Sequence, residues 1–144
     1  MSLGEFDLIA RCFTRPTPNA VLGPGDDCAL LAPRPGMQLA ISSDMLVEGR
    51  HFLSTVEPRR LGHKALAVNL SDLAACGARP LACTLAIAIP RADAAWLDAF
   101  AAGFHALAAA HGCELVGGDT TAGPLNLCVT VFGEVPAGGA LLRS

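Results

Sequence analysis

Five of the eight aspartates in this 144-residue chain sit beside glycine, serine or apolar residues instead of on charged faces. Asp26 and Asp27 lie in GPGDDCALL, Asp44 in ISSDML, Asp72 in VNLSDLAACG and Asp119 in LVGGDTT. An ionised carboxylate among apolar strands is costly unless it is paired or holds a metal. Lys64 and Arg79 are the only strong bases between residues 61 and 90, so local ion pairs cannot satisfy these acids. Carboxylates that converge without basic partners repel one another, and a hard divalent cation removes that repulsion. Oxygen donors without a cysteine or histidine cluster indicate Mg2+ over Zn2+, and Mg2+ held by a few carboxylates completes its shell with water and substrate phosphates. The expected chemistry is the handling of phosphate groups through a metal.

Each segment also has a plainer reading. Gly23-Pro24-Gly25-Asp26-Asp27 is a turn composition, and Ser42-Ser43-Asp44 suits a helix cap or an Asx turn. Gly117-Gly118-Asp119 suits either a hairpin or a backbone that lets N–H groups approach phosphate. Asn69 and Asp72, three apart on one face of a helix, are harder to explain as structure. His51, in LVEGRHF, and Arg143, in the glycine-rich tail, carry little information by themselves. Four acidic segments in one sparsely charged chain are much harder to attribute to coincidence than any single one.

The elements that would position these groups follow from periodicity and punctuation. Residues 4–13 have helical spacing, and residues 28–32 and 38–46 are short strand-like runs around the turn Pro33–Gly36. Pro58 opens a helix that runs to about Cys76 and stops at Gly77. Residues 81–89 form a strand, and 93–111 an alanine-rich helix closed by Gly112. Residues 114–117 and 125–135 form strands around a GGDTTAG loop. This order predicts an α+β fold, an antiparallel-rich sheet with helices on one face. The other face then lacks a cover, and with so few charges to solvate it we expect it to pack against a twin sheet in a homodimer.

Composition narrows the function classes. The chain is 52% hydrophobic and 16% charged, with a net charge of −3. Such a chain is not intrinsically disordered, and with a single lysine it is no nucleic-acid platform. Lys64 lacks the preceding glycines of a Walker phosphate loop. The six cysteines include no CxxC pair and sit among apolar neighbours, which predicts core packing. The N-terminus carries Glu5 and Asp7 where a secretory leader needs positive charge. No apolar run approaches the ~20 residues of a membrane span. The expected location is the cytoplasm.

GEFDLIARCF, GPGDDCALL, SSDMLVEGRHF, KALAVNLSDLAACGARP, LVGGDTTAG and LLRS, in this order and spacing, resemble thiamine-monophosphate kinase along the whole chain. The wider superfamily includes aminoimidazole-ribonucleotide synthetase, selenophosphate synthetase and a hydrogenase-maturation protein, all users of ATP. The resemblance implies the fold of the aminoimidazole-ribonucleotide synthetase N-terminal domain. It also implies transfer of the ATP γ-phosphoryl group to thiamine monophosphate by direct attack of the substrate phosphate, with no residue of this chain as nucleophile or base. Carried over by position, Asp27, Ser42, Ser43, Asp44, Asp72 and Asp119 match Mg2+ ligands. Gly118, Asp119 and Arg143 match nucleotide contacts, and His51 matches a thiamine-phosphate contact. Two departures stand out. Ala122 replaces an arginine usual in the family, and the family continues beyond LLRS into a second domain, so residues 1–144 read as a single ATP- and Mg2+-binding N-terminal domain. The competing expectations are a non-catalytic dimerising, nucleotide-binding fragment and a sister ATP-dependent synthetase.

Overall fold

The molecule was analysed as a computed structural model that describes residues 12–143. Four strands and two long helices follow one another as β1 (Met37–Val47), α1 (Pro58–Ala75), β2 (Arg79–Ile89), α2 (Ala94–His111), β3 (Glu114–Ala122) and β4 (Asn126–Pro136). The strands form one sheet in the order β1-β4-β2-β3. β4 is antiparallel to both β1 and β2, whereas β2 and β3 are parallel because α2 crosses between them. The sheet is thus antiparallel-rich, with one parallel pair.

Both helices start and stop where local chemistry dictates. The Glu57 carboxylate accepts a hydrogen bond from the Arg59 amide (3.1 Å) and Pro58 fills the first turn of α1. Asp93 caps α2 by accepting from the Trp96 amide (3.1 Å), and Gly112 ends it in the left-handed conformation, which glycine adopts without a Cβ penalty. The helices meet at Gly62 and Gly103, where any Cβ would strike the carbonyl of Phe100 or of Arg59. The core lies between this helix pair and one face of the sheet. Leu61, Leu66, Leu73, Phe100 and Phe104 of the helices are buried with Leu127, Val129 and Val131 of β4. Alternation along β4 buries every second residue on the helix side, as a one-sided sheet requires.

Among the described residues the opposite face has no cover. Ile41 and Met45 of β1 are 61% and 55% exposed. Near its end, Glu134 is buried yet ionised: Arg34 Nε (2.6 Å), Arg79 Nη2 (2.8 Å) and the Arg34 amide (3.1 Å) all donate to its carboxylate. These donors outweigh burial and hold its pKa at about 2, against an ordinary 4.5.

Several sequence expectations need correcting. Residues 28–32 form no strand. Only an isolated bridge between Leu22 and Leu30 orders that stretch, because Gly23, Pro24 and Gly25 before it and Pro33 after it interrupt any continuous ladder. The GGDTTA stretch is not a loop but the body of β3, and the turn falls at Gly123–Leu125. Parallel pairing with β2 decides this, a contact that local composition cannot register. Of the cysteines, Cys12, Cys83 and Cys113 are buried, but Cys28 is exposed. The helix expected at 4–13 lies outside the described residues apart from Cys12 and Phe13, which are helical.

Candidate functional site

β1 and α1 run side by side in opposite directions and together hold one set of polar groups. Ser42, Asp44 and Leu46 alternate onto the helix face of the sheet, in register with the buried Val131, Val129 and Leu127. There the Ser42 hydroxyl donates to Asp72 Oδ2 at 3.0 Å. Asp44 and Asp72 meet carboxyl to carboxyl. Burial, and then the hydrogen bond and negative charge of Asp72, push the Asp44 pKa up, as loss of water and a like charge close by both do. No base pairs with either among the described residues. Two carboxylates and a hydroxyl meeting without a cation suit a hard divalent ion.

Farther along the same groove, the Val47 amide donates to His51 Nδ1 (2.9 Å), and Lys64 Nζ donates to the His51 carbonyl (2.7 Å). A ring nitrogen that accepts an amide proton carries none, so the neutral ring bears its proton on Nε2, free to donate outward. The loop holding His51 is closed by the Gly49 amide bonding to the Phe52 carbonyl (2.7 Å) and anchored by the buried Phe52.

A second set lies at the other edge of the sheet. Asp26, Asp27, Gly117, Gly118 and Asp119 line a cavity of about 190 Å³. Gly118 has φ +147°, and a Cβ there would strike the Leu85 carbonyl, so only glycine lets β3 lie this close. The Asp27 amide bonds Asp26 Oδ1 at 2.8 Å, which shapes the GPGDD turn.

The expected residues are therefore brought together as two sets, not one. β1 and β3 are the outer strands, three spacings apart, or about 14 Å at ~4.8 Å each. No single Mg2+, which coordinates at ~2.1 Å, spans that gap, and no cluster of three or more metal-binding side chains forms among the described residues. Ser43 turns to the open face, where its hydroxyl bonds Thr130 (3.0 Å) and Cys128 (3.2 Å). Arg143 is exposed beyond Leu141, whose amide bonds the Cys76 carbonyl (3.0 Å). Sequence reasoning missed Lys64. Its spacing of eight from Asp72, two helical turns, was the available signal.

Residues 25–135 match the family described as AIR synthase related protein, N-terminal domain. The chain belongs to this family. Within the AIR synthase-related proteins it is 50% identical over 147 aligned positions to thiamine-monophosphate kinase of Escherichia coli (strain K12), covering 100% of this chain and 45% of that one. The crystal structure of thiamine-monophosphate kinase from Stenotrophomonas maltophilia K279a is 49% identical, with TM-score 0.83, over 100% of this chain and 46% of that one. A structure described as AaThiL complexed with AMPPCP and TMP has TM-score 0.68 and 28% identity, over 94% of this chain and 44% of that one. The chain thus spans about half the length of the relatives it matches. No helix among the described residues is long and apolar enough to cross a membrane.

Proposed function

We propose that this chain is the N-terminal, ATP- and Mg2+-binding part of a thiamine-monophosphate kinase, which moves the γ-phosphoryl group of ATP onto the phosphate of thiamine monophosphate to give thiamine diphosphate and ADP. The observation that carries this is the Asp44–Asp72 carboxyl pair with Ser42 and without a base. The two aspartates and the hydroxyl would hold one divalent ion, and Asp27 and Asp119 a second position beside the Gly118 backbone. The matching relatives, and a solved relative that holds AMPPCP and TMP, support the same substrates. Bound Mg2+ would neutralise phosphate charge, the main demand when one phosphate anion attacks another. In this chemistry the protein positions and shields charge, and no residue of this chain supplies a nucleophile or base.

The open sheet face would be covered by a second copy. Three eleven-residue strands and one of nine, four abreast, give roughly 35 by 19 Å, or a little under ~700 Å², from strand geometry. A stable interface buries about 800 Å² per partner. We place the protein in the cytoplasm, where ATP is available. Incubating the chain with ATP, Mg2+ and thiamine monophosphate and resolving the products by chromatography tests the activity. Thiamine diphosphate formed together with ADP supports it. Mg2+-dependent ATP binding without product would favour a nucleotide-binding part that needs the rest of the kinase, an outcome consistent with a chain covering 45% of its relative.

A further inference from the structure

We propose that Lys64 is a phosphate-binding residue that works with His51 on the acceptor substrate; this rests on the thiamine-monophosphate reading only for the identity of that substrate. Lys64 is the only lysine of a chain with net charge −3, and it forms no ion pair among the described residues. An ammonium group has three N–H donors, and among the described residues only one is used, on the His51 carbonyl at 2.7 Å. The His51 ring has its Nδ1 occupied by the Val47 amide at 2.9 Å, so Nε2–H is its one outward donor. Both side chains are exposed, His51 on a loop closed by its own hydrogen bonds and Lys64 on α1. Outward N–H groups with a full positive charge, and no carboxylate to consume it, recognise a phosphate dianion.

The place of Lys64 on α1 gives this end of the groove its purpose. Lys64, Val68 and Asp72 succeed one another at four-residue steps, so Lys64 and Asp72 lie along one side of the helix, about 12 Å apart along the axis at ~1.5 Å per residue. The groove between β1 and α1 therefore has a cation-seeking end at Asp44 and Asp72 and an anion-seeking end at His51 and Lys64. A monophosphate bound between Lys64 and the acids would lie next to the ions that would hold a nucleotide. Lys64 would bind the ester phosphate, while specificity for the rest of the acceptor would come from other groups.

Titrating the 144-residue chain with inorganic phosphate, while following the His51 ring resonances by NMR, tests this. We expect a saturable shift whose Kd rises about ten- to hundred-fold in Lys64→Met, the loss typical of one charge-assisted hydrogen bond. Lys64→Arg should restore most of it. The ligand-free His51 tautomer should match the wild type in Lys64→Met, which a role confined to holding the loop would not allow. No phosphate-dependent shift in the wild type overturns the proposal, as does an equal Kd in Lys64→Met. A second titration with thiamine monophosphate separates the two inferences. Phosphate binding that depends on Lys64, with thiamine monophosphate bound no more tightly, supports the Lys64 site and defeats the thiamine reading.

Discussion

Asp72 ties three polar groups to one point, and its removal has two opposite effects. Asp72→Asn removes the negative charge that adds to burial in pushing the Asp44 carboxyl up and keeps an acceptor for the Ser42 hydroxyl. The metal-free protein should therefore melt no lower than wild type, while ATP binding in the presence of Mg2+ weakens at least about ten-fold, as expected when a charged ligand to the ion is lost. Thermal shift and calorimetry with and without Mg2+ would show both, and an unchanged metal titration would remove Asp72 from the site. Glu134 shows the contrasting case, an acid with all the cations it needs. Its folded pKa of about 2 lies below the ordinary 4.5, so the protonated form is disfavoured in the fold. Its contribution is complete above about pH 5 and is lost as the pH falls toward 2. Melting temperature should fall across that window, and Glu134→Gln should lower it at pH 7 while flattening the acid slope.

At the scale of elements, two glycines set how close α1 and α2 come. Gly62 faces the Phe100 carbonyl and Gly103 the Arg59 carbonyl, with no room for a methyl group at either. Both are backbone obstacles that no rotamer change relieves. Gly62→Ala and Gly103→Ala should each cost about 1–3 kcal/mol despite the better helix propensity of alanine, measured by urea unfolding. α1 carries Asp72 and Lys64, so the same substitutions should also shift the groove and weaken Mg2+-dependent ATP binding. A stable, fully active Gly103→Ala variant would show that the crossing is looser than its contacts indicate.

At the scale of the whole molecule, the described residues form a sheet covered on one side. Leu39, Ile41, Met45 and Val47 expose apolar surface in a row along β1, beside the hydrogen-bonded Ser43–Thr130 pair. If a twin sheet covers this face, Ile41→Lys buries a charge at the interface without touching the core. Light scattering at micromolar concentration should then give a dimer mass for the wild type and a monomer mass for the variant, with similar far-ultraviolet circular dichroism. A monomeric wild type would defeat the dimer. The same geometry separates the two acidic sets by about 14 Å across the sheet, so ions bound at β1 and at β3 should saturate independently in a metal titration.

Helix boundaries, the strand runs of β1, β2 and β4 and the identity of the unusual acids were legible in the sequence, because caps, glycine stops and short apolar runs are local. Pro58, Gly77, Asp93 and Gly112 act on the turns that contain them. What only the tertiary structure decided depends on contacts between distant residues. Parallel pairing with β2 turned GGDTT into a strand. Strand order placed Asp44 and Asp119 at opposite edges although the sequence makes them look like one set. The antiparallel approach of α1 to β1 brought Ser42 to Asp72 and Lys64 to His51. Spacing along a chain limits which residues can share a face of one element, but which faces meet is decided by how the elements bury their apolar sides against one another.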